Sequence, residues 1–170
     1  GVGVSSSDAA RAAAGEFITH FARQTSRETT PYTTTHDYAQ LLLSCVVAAD
    51  AAIGAGDRIV AGTTTLIAGL VLTARSGRHV LLVVSVGDCK AYLWSANRPA
   101  VDVTFDNRPN IGDAHDPGGR LGPSGEKGNR LLADYRNLSV YTTYVEPNDL
   151  VILTSDGVAD NLAPEILGLA

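Results

Sequence analysis

The sequence is poor in cysteine and contains no methionine. Only Cys45 and Cys89 occur among 170 residues, which is too few for a disulfide framework in a domain of this size, and they do not form a Cys-x-x-Cys metal motif. We therefore expect a reducing, intracellular location, namely the cytoplasm. The length and composition predict a single compact domain over residues 1–170, and because the chain begins with Gly1 rather than methionine, we expect it to be a fragment, a processed product or a chain from which a tag was removed.

Clustered positive charge and long apolar runs are also missing. The formal net charge is -5 and no stretch concentrates Lys or Arg, so the chain lacks the basic patch that binding to a nucleic-acid backbone requires. Apolar runs such as residues 80–86 are far shorter than the roughly 20 residues of a membrane helix. We expect neither nucleic-acid binding nor a membrane span. The 45% of hydrophobic residues instead predicts a compact globular core.

Apolar residues at three- and four-residue spacing predict two helices in the first third of the chain. They cover residues 7–24 and residues 37–53, joined by a polar loop, and Gly54 is a typical stop signal after the second. Cys45 belongs to the apolar stripe of the second helix, so we expect a small core residue rather than a reactive thiol. A further helix is predicted to start at residues 163–169.

Runs of β-branched and apolar residues predict six strands. They cover residues 61–74, 79–86, 90–95, 101–104, 135–145 and 149–154. Short turns separate the first three strands, which predicts an antiparallel meander with Asp88 at its tip. The polar stretch 106–129 is rich in Gly and Pro, and loops of this length inside a compact domain are usually functional or mobile.

Acidic residues follow two of the predicted strands. Asp88 comes after residues 79–86, and Asp156 and Asp160 come after residues 149–154. Mg²⁺ and Mn²⁺ prefer oxygen ligands, and carboxylates from separate strand ends suit them, whereas no Cys/His cluster suggests a zinc site. A plainer interpretation is a Ser-Asp-Gly turn that caps a helix, with Asp160 merely solvated.

Five segments then occur in a specific order along the chain. They are Ala-Gly-Thr-Thr-Thr at 61–65, Val-Ser-Val-Gly-Asp-Cys-Lys-Ala-Tyr-Leu at 84–93, Asp-Asn-Arg-Pro at 106–109, Gly-Gly-Arg-Leu-Gly at 118–122 and Leu-Thr-Ser-Asp-Gly-Val-Ala-Asp-Asn at 153–161. In this order they resemble the PPM-type (type-2C) metal-dependent protein serine/threonine phosphatases, over nearly the whole chain. The resemblance implies an α+β fold: two antiparallel β-sheets packed as a sandwich and flanked by α-helices, in α-β-β-α layers.

The resemblance also implies site residues and cofactors. Asp156 matches the acid that bridges into the metal centre, Asp88 and Asp160 match acids of an additional, weaker metal site, and Gly1 matches a glycine that donates a backbone carbonyl to a metal. The implied cofactors are two or more Mg²⁺ or Mn²⁺ ions. They would activate a water that hydrolyses phosphoserine or phosphothreonine in a phosphoprotein substrate, without a side-chain nucleophile.

The chain departs from the family pattern at several positions. Cys89, Lys90 and Asn107 stand where Ser, Arg and His are usual, and Val2 stands where many eukaryotic members carry a His that acts as general acid. The remaining metal ligands of the family fall outside these residues, so the resemblance implies a single phosphatase-type domain over residues 1–170 that is truncated at both ends. Two other interpretations stay open: a catalytically inactive phosphatase-like module that binds phosphoproteins or regulatory partners, and a structural α/β domain whose acids are turn residues.

Overall fold

The computed structural model describes residues 6–27, 32–53, 62–108, 116–123 and 133–162. Helices α1 (Ser6–Thr25) and α2 (Thr35–Ile53) pack against each other and confirm the two predicted helices to within two residues at each end. The helix predicted at 163–169 and much of the loop 106–129 lie outside the described residues. Within the described ranges, no helix is both long and apolar enough to cross a bilayer.

The start of α2 is fixed by reciprocal hydrogen bonds between a side chain and the main chain. Asp37 Oδ2 accepts hydrogen bonds from the main-chain N–H groups of Thr33 (3.0 Å) and Thr34 (2.8 Å), and Thr34 Oγ1 accepts one from Asp37 N–H (3.1 Å). These bonds satisfy donors that the first turn of a helix leaves free. The bonds from Thr33 and Thr34 also lower the pKa of Asp37 to about 2.

Within the described ranges, the strands form two antiparallel sheets of three strands each. The first sheet has the order β1-β2-β5, with β1 at Leu66–Thr73, β2 at His79–Val86 and β5 at Ser139–Val145. The second has the order β4-β3-β6, with β3 at Lys90–Ser95, β4 at Arg98–Asp102 and β6 at Leu150–Thr154. A short helix, α3 (Asp156–Leu162), follows β6.

Strand β2 contributes to two hydrophobic cores because successive side chains of a strand point to opposite faces. Val80, Leu82, Val84 and Val86 are buried together with the apolar stripes of α1 and α2, in which Cys45 is a core residue as predicted. The alternate residues Leu81 and Val83 are buried with residues of both sheets, namely Ala91, Leu93 and Val145. The helices thus cover one face of the first sheet, and an apolar core joins its other face to the second sheet.

The predicted α+β architecture with two antiparallel sheets therefore agrees with the structure. The fourth layer of the predicted sandwich stays a prediction, because the helix that packs on β6 in the described part of the chain is the short α3. Strand boundaries differ modestly: β1 and β5 start later than predicted. β4 starts at Arg98, directly after the two-residue turn that follows β3.

The predicted meander of the first three strands is wrong at its second turn. β1 and β2 do form an antiparallel pair, but β3 pairs with β4 and β6 and belongs to the other sheet. Both edges of β2 are already hydrogen-bonded, to β1 and to β5, so β3 has no free edge of β2 to join. The turn at Gly87 and Asp88 is therefore a crossing between the two sheets, and Asp88 lies where they meet.

Two neighbouring valines on α2 test this division between core and surface. Val46 is fully buried in the helix-covered core, whereas Val47 is 60% exposed. We expect Val46→Ala to lower the free energy of unfolding by about 2 kcal/mol, from lost apolar burial and the cavity left behind. Val47→Ala should change it by less than about 0.5 kcal/mol. Urea unfolding followed by the fluorescence of Trp94, the single tryptophan, measures both, and equal effects would contradict the assignment.

Candidate functional site

The turn after β2 depends on a glycine. Gly87 has φ of 95°, in the left-handed region that favours glycine, and a Cβ at this position would collide with the side chain of Thr65. The close approach of Thr65 brings residues 62–65 beside the start of the crossing. The sequence therefore needs Gly87 both for the turn and for the fit between these two segments.

Two buried asparagines tie this turn to loops from distant parts of the chain. Asn137 Oδ1 accepts a hydrogen bond from Gly87 N–H (2.9 Å), and its Nδ2 donates to the carbonyls of Gly87 (2.9 Å), Asn107 (2.6 Å) and Pro117 (3.0 Å). Asn107 Nδ2 donates to the carbonyls of Gly87 (3.2 Å) and Cys89 (2.6 Å). Buried main-chain polar groups need such partners, so these amides hold the turn in place.

A second pair of segments forms the neighbouring wall. Thr64 and Leu121 exchange main-chain hydrogen bonds of 3.1 and 2.8 Å, and Arg120 and Asp134 exchange bonds of 2.8 and 2.9 Å. Asp50 on α2 accepts a further bond from Gly122 N–H at 2.7 Å. The Thr-rich and Gly-rich segments noted in the sequence are therefore held side by side.

These segments surround a small, open cavity of about 260 Å³. It is lined by Thr63, Thr64, Thr65, Asp88, Pro117, Arg120 and Asp156. Four of the five segments singled out in the sequence contribute to this lining, even though they are far apart along the chain. The lining is mostly polar and combines two carboxylates, a guanidinium and threonine hydroxyls, a composition that suits a small charged ligand.

Asp88 is the most unusual residue of the site. Its side chain is 4% exposed, and its Oδ1 atom has no hydrogen-bond partner within the described residues. Burial raises the pKa of Asp88, and the charges of Asp156 and Asp160 raise it further, while Arg108 opposes the shift. A buried carboxylate oxygen without a partner is costly, so the site favours a ligand that supplies positive charge there.

The structure brings together three of the four residues predicted as metal ligands. Asp156 lines the cavity with Asp88, and Asp160 lies four residues further along α3, on the same face of the helix. Their charges act on Asp88, as its raised pKa shows. No group of three or more His, Cys, Asp or Glu side chains in the described ranges is arranged to hold a metal ion, and Gly1 lies outside those ranges. The ligand assignments therefore stay predictions.

Sequence reasoning gave no role to Arg108, which turns out to be central. Its Nη1 lies 3.2 Å from Asp160 Oδ1, its Nη2 lies 3.9 Å from Asp88 Oδ2, and its side chain is 10% exposed. The only sequence signal was its place inside the Asp-Asn-Arg-Pro segment. The guanidinium and Asp88 are largely removed from water, whereas the side chain of Asp160 is 36% exposed.

The positions that depart from the family pattern have structural contacts of their own. Asn107 is 1% exposed and holds the turn, as described above. Lys90 forms an ion pair with Asp102 across the β3–β4 hairpin (2.9 Å). Cys89 lies with its Sγ 3.2 Å from Thr65 Oγ1, and burial raises the pKa of its thiol. Asn107 and Cys89 therefore contact segments of the cavity wall, whereas Lys90 stabilises the β3–β4 hairpin, and none of the three is part of the cavity lining.

Comparison with known proteins gives one distant similarity. A segment of 106 residues, or 61% of this chain, is 32% identical to a PP2C-like domain-containing protein of Drosophila melanogaster. The match covers 14% of that much longer protein. No protein-family model matches the chain, and no solved structure matches it. The relationship to a PP2C-like protein is thus distant and partial.

The role of Asn137 can be tested by removing its amide. Asn137→Ala leaves the N–H of Gly87, the buried carbonyls of Gly87 and Asn107 and the partly buried carbonyl of Pro117 without this partner, so we expect the free energy of unfolding to fall by at least about 2 kcal/mol. Asn161 provides the control, since its side chain also donates to a main-chain carbonyl, that of Gly157, but is exposed. Asn161→Ala should cost less than about 1 kcal/mol in the same urea titration. Similar losses in both variants would refute the central role of Asn137.

The raised pKa of Asp88 predicts a pH-dependent stability in the absence of divalent ions. The folded state binds the proton of Asp88 more tightly than the unfolded chain does, so stability falls as pH rises from the ordinary value of 3.8 through the folded-state pKa. We therefore expect Asp88→Asn, measured with a chelator, to be more stable than the wild type at neutral pH. This advantage should shrink as the pH is lowered toward 3.8.

Asp149 is a control of opposite sign. The hydrogen bonds from Ser95 and from Glu146 N–H, together with the charge of Arg98, lower the pKa of Asp149. Asp149→Asn should therefore lower stability at neutral pH, and the loss should vanish as the carboxylate of the wild type becomes protonated in acid. If Asp88→Asn behaved like Asp149→Asn, the burial penalty assigned to Asp88 would be wrong.

Proposed function

We propose that this domain carries out metal-dependent hydrolysis of phosphoserine and phosphothreonine in proteins, as a member of the PPM-type phosphatases. The observation that supports this most strongly is the buried, unpartnered Oδ1 of Asp88 beside Asp156 at a polar cavity. The ordered sequence motifs and the distant PP2C-like relative support it independently.

The residues at the cavity fit a hard divalent cation. Asp88 and Asp156 would hold it through carboxylate oxygens, which Mg²⁺ and Mn²⁺ prefer. The sequence proposes Gly1 as a further metal ligand, and it proposes Asp160, with Asp88, for an additional, weaker site. When bound, such ions lower the pKa of a coordinated water and offset the charge of a phosphoryl group. A cation would also relieve the burial penalty of Asp88.

The chain's own side chains would position the phosphate. Arg120 lines the same cavity, and a guanidinium binds phosphate oxygens in a planar, bidentate manner. The main-chain N–H and C=O groups of Arg120 are both hydrogen-bonded to Asp134, so the position of its Cα atom is fixed. Thr63 contributes further polar lining. Both Arg120 and the bound metal ions would thus supply positive charge to a phosphate group in the cavity.

A second candidate is a catalytically inactive phosphatase-like module that binds phosphoproteins or regulatory partners. It is favoured by the pairing of Asp160 with Arg108, which uses one predicted metal ligand in an ion pair. It is also favoured because the described residues contain no three-ligand metal group. The two candidates share the cavity and differ in whether bound phosphate is released by hydrolysis.

Turnover by the intact protein separates the candidates. We expect hydrolysis of p-nitrophenyl phosphate and of phosphoserine or phosphothreonine peptides that requires Mn²⁺ or Mg²⁺. Asp156→Asn should reduce kcat/KM by more than about 100-fold, since even outer-shell partners of metal ligands commonly cost about 10- to 100-fold. Glu146→Gln is the control, because Glu146 is exposed and lies away from the cavity lining, and its activity should match the wild type.

Two results would overturn the enzyme proposal. Metal-independent turnover unchanged by Asp156→Asn would show that the activity does not use this site. No turnover with either metal, together with phosphopeptide binding measured by calorimetry that Asp156→Asn or Arg120→Ala weakens, would establish the binding module instead.

A further inference from the structure

The guanidinium of Arg108 lies between two carboxylates that come from different parts of the chain. Its Nη1 is 3.2 and 3.4 Å from the two carboxylate oxygens of Asp160, and its Nη2 is 3.9 Å from Asp88 Oδ2. Asp88 follows β2, whereas Asp160 lies on α3, beyond β6 of the other sheet. Arg108 therefore joins the crossing between the sheets to α3.

The two oxygens of Asp88 are in different situations. Oδ2 is the oxygen near Arg108, while Oδ1 is buried and has no hydrogen-bond partner in the described part of the chain. Asp88 also shares the cavity with Asp156 but not with Asp160, which is absent from the cavity lining. Asp88 therefore has a guanidinium beside Oδ2, whereas Arg120, the guanidinium in the cavity lining, forms no ion pair with Asp88 in the described part of the chain.

We propose that Arg108 is the resident cation between Asp88 and Asp160, and that it keeps a divalent ion out of that space. The charge of a guanidinium offsets the repulsion between the two carboxylates, as a bound metal ion would, and the two cations cannot occupy the same space. A metal ion is then confined to the cavity side, at Asp88 and Asp156. Asp160 is a positioning residue that holds Arg108 and is not a metal ligand.

This inference depends on the proposed function only for the metal expected at Asp88 and Asp156. It concerns the number of metal ions bound, which calorimetry or the electron paramagnetic resonance of free Mn²⁺ measures without any turnover. The wild type and Arg108→Gln are titrated with Mn²⁺ alone. We expect Arg108→Gln to bind one more Mn²⁺ per chain, at least about tenfold more tightly than any such binding by the wild type, because a nearby positive charge has been removed.

Arg136→Gln is the matched control. Arg136 also pairs with two aspartates, Asp116 and Asp134, each at 2.9 Å, but its side chain is 58% exposed and lies outside the cavity lining. It should gain no Mn²⁺. An equal gain in both variants would mean that any aspartate pair deprived of its arginine binds Mn²⁺, which would overturn the proposal. So would an Arg108→Gln variant that is folded by circular dichroism and binds no more Mn²⁺ than the wild type.

A second variant tests whether Asp160 is a metal ligand even if Arg108→Gln does not fold. Asp160→Asn keeps the guanidinium and removes the carboxylate charge, so we expect it to bind as many Mn²⁺ ions as the wild type. One Mn²⁺ fewer per chain would make Asp160 a metal ligand and overturn the inference. A separate measurement tests the proposed function: it fails if the wild type itself releases no phosphate in the presence of Mn²⁺ or Mg²⁺.

Discussion

The side-chain amide of Asn137 is the contact on which the rest of the site depends. It binds the N–H and the carbonyl of Gly87 and reaches the carbonyls of Asn107 and Pro117. Gly87 and Asn107 belong to two of the five segments singled out in the sequence, and Pro117 directly precedes a third. Asn137, which belongs to none of the five, therefore fixes the relative positions of these parts of the chain.

The hydrogen bonds of Asn137 allow the protein to keep the buried carboxylate of Asp88 at the cavity, where a cationic ligand can bind it. Asp88 is carried by a buried turn, its pKa is raised, and one of its oxygens has no partner in the described residues. Such a group lowers the stability of the ligand-free fold and increases the gain when a cation binds. Arg108 reduces the cost of burying the Asp88 carboxylate near its Oδ2 atom, which lies toward Asp160. It does not offset this cost at Oδ1, which has no partner in the described residues.

The sequence predicted the two long helices and, with shifted boundaries, the six strands, and it pointed to much of the cavity lining, but it did not predict α3. It also failed where the outcome depended on pairing between distant segments. Helical periodicity located α1 and α2, and strand-end acids pointed to Asp88 and Asp156. The two-residue turn at Gly87 suggested a hairpin, because local turn length cannot show that β5 already occupies the free edge of β2.

The roles of Arg108 and Asn137 were also beyond sequence reasoning. Each depends on contacts across 20 to 52 residues of chain, and the only local signal for either residue is the place of Arg108 inside the Asp-Asn-Arg-Pro segment. Asn107 also has a role that the sequence motif did not predict. It stands at a position where the motif suggests a histidine, and its buried amide turns out to hold the main chain of Gly87 and Cys89.

The burial of β2 on both faces links the site to the cooperativity of the whole fold. Its side chains complete the core under the helices and the core between the sheets, so neither sheet can lose its packing without exposing part of this strand. Because Asp88 lies two residues beyond the end of β2, we expect an opening of this strand that exposes its amide protons to disturb the wall of the cavity as well. A ligand bound in the cavity would therefore slow the hydrogen exchange of the buried amide protons of β2.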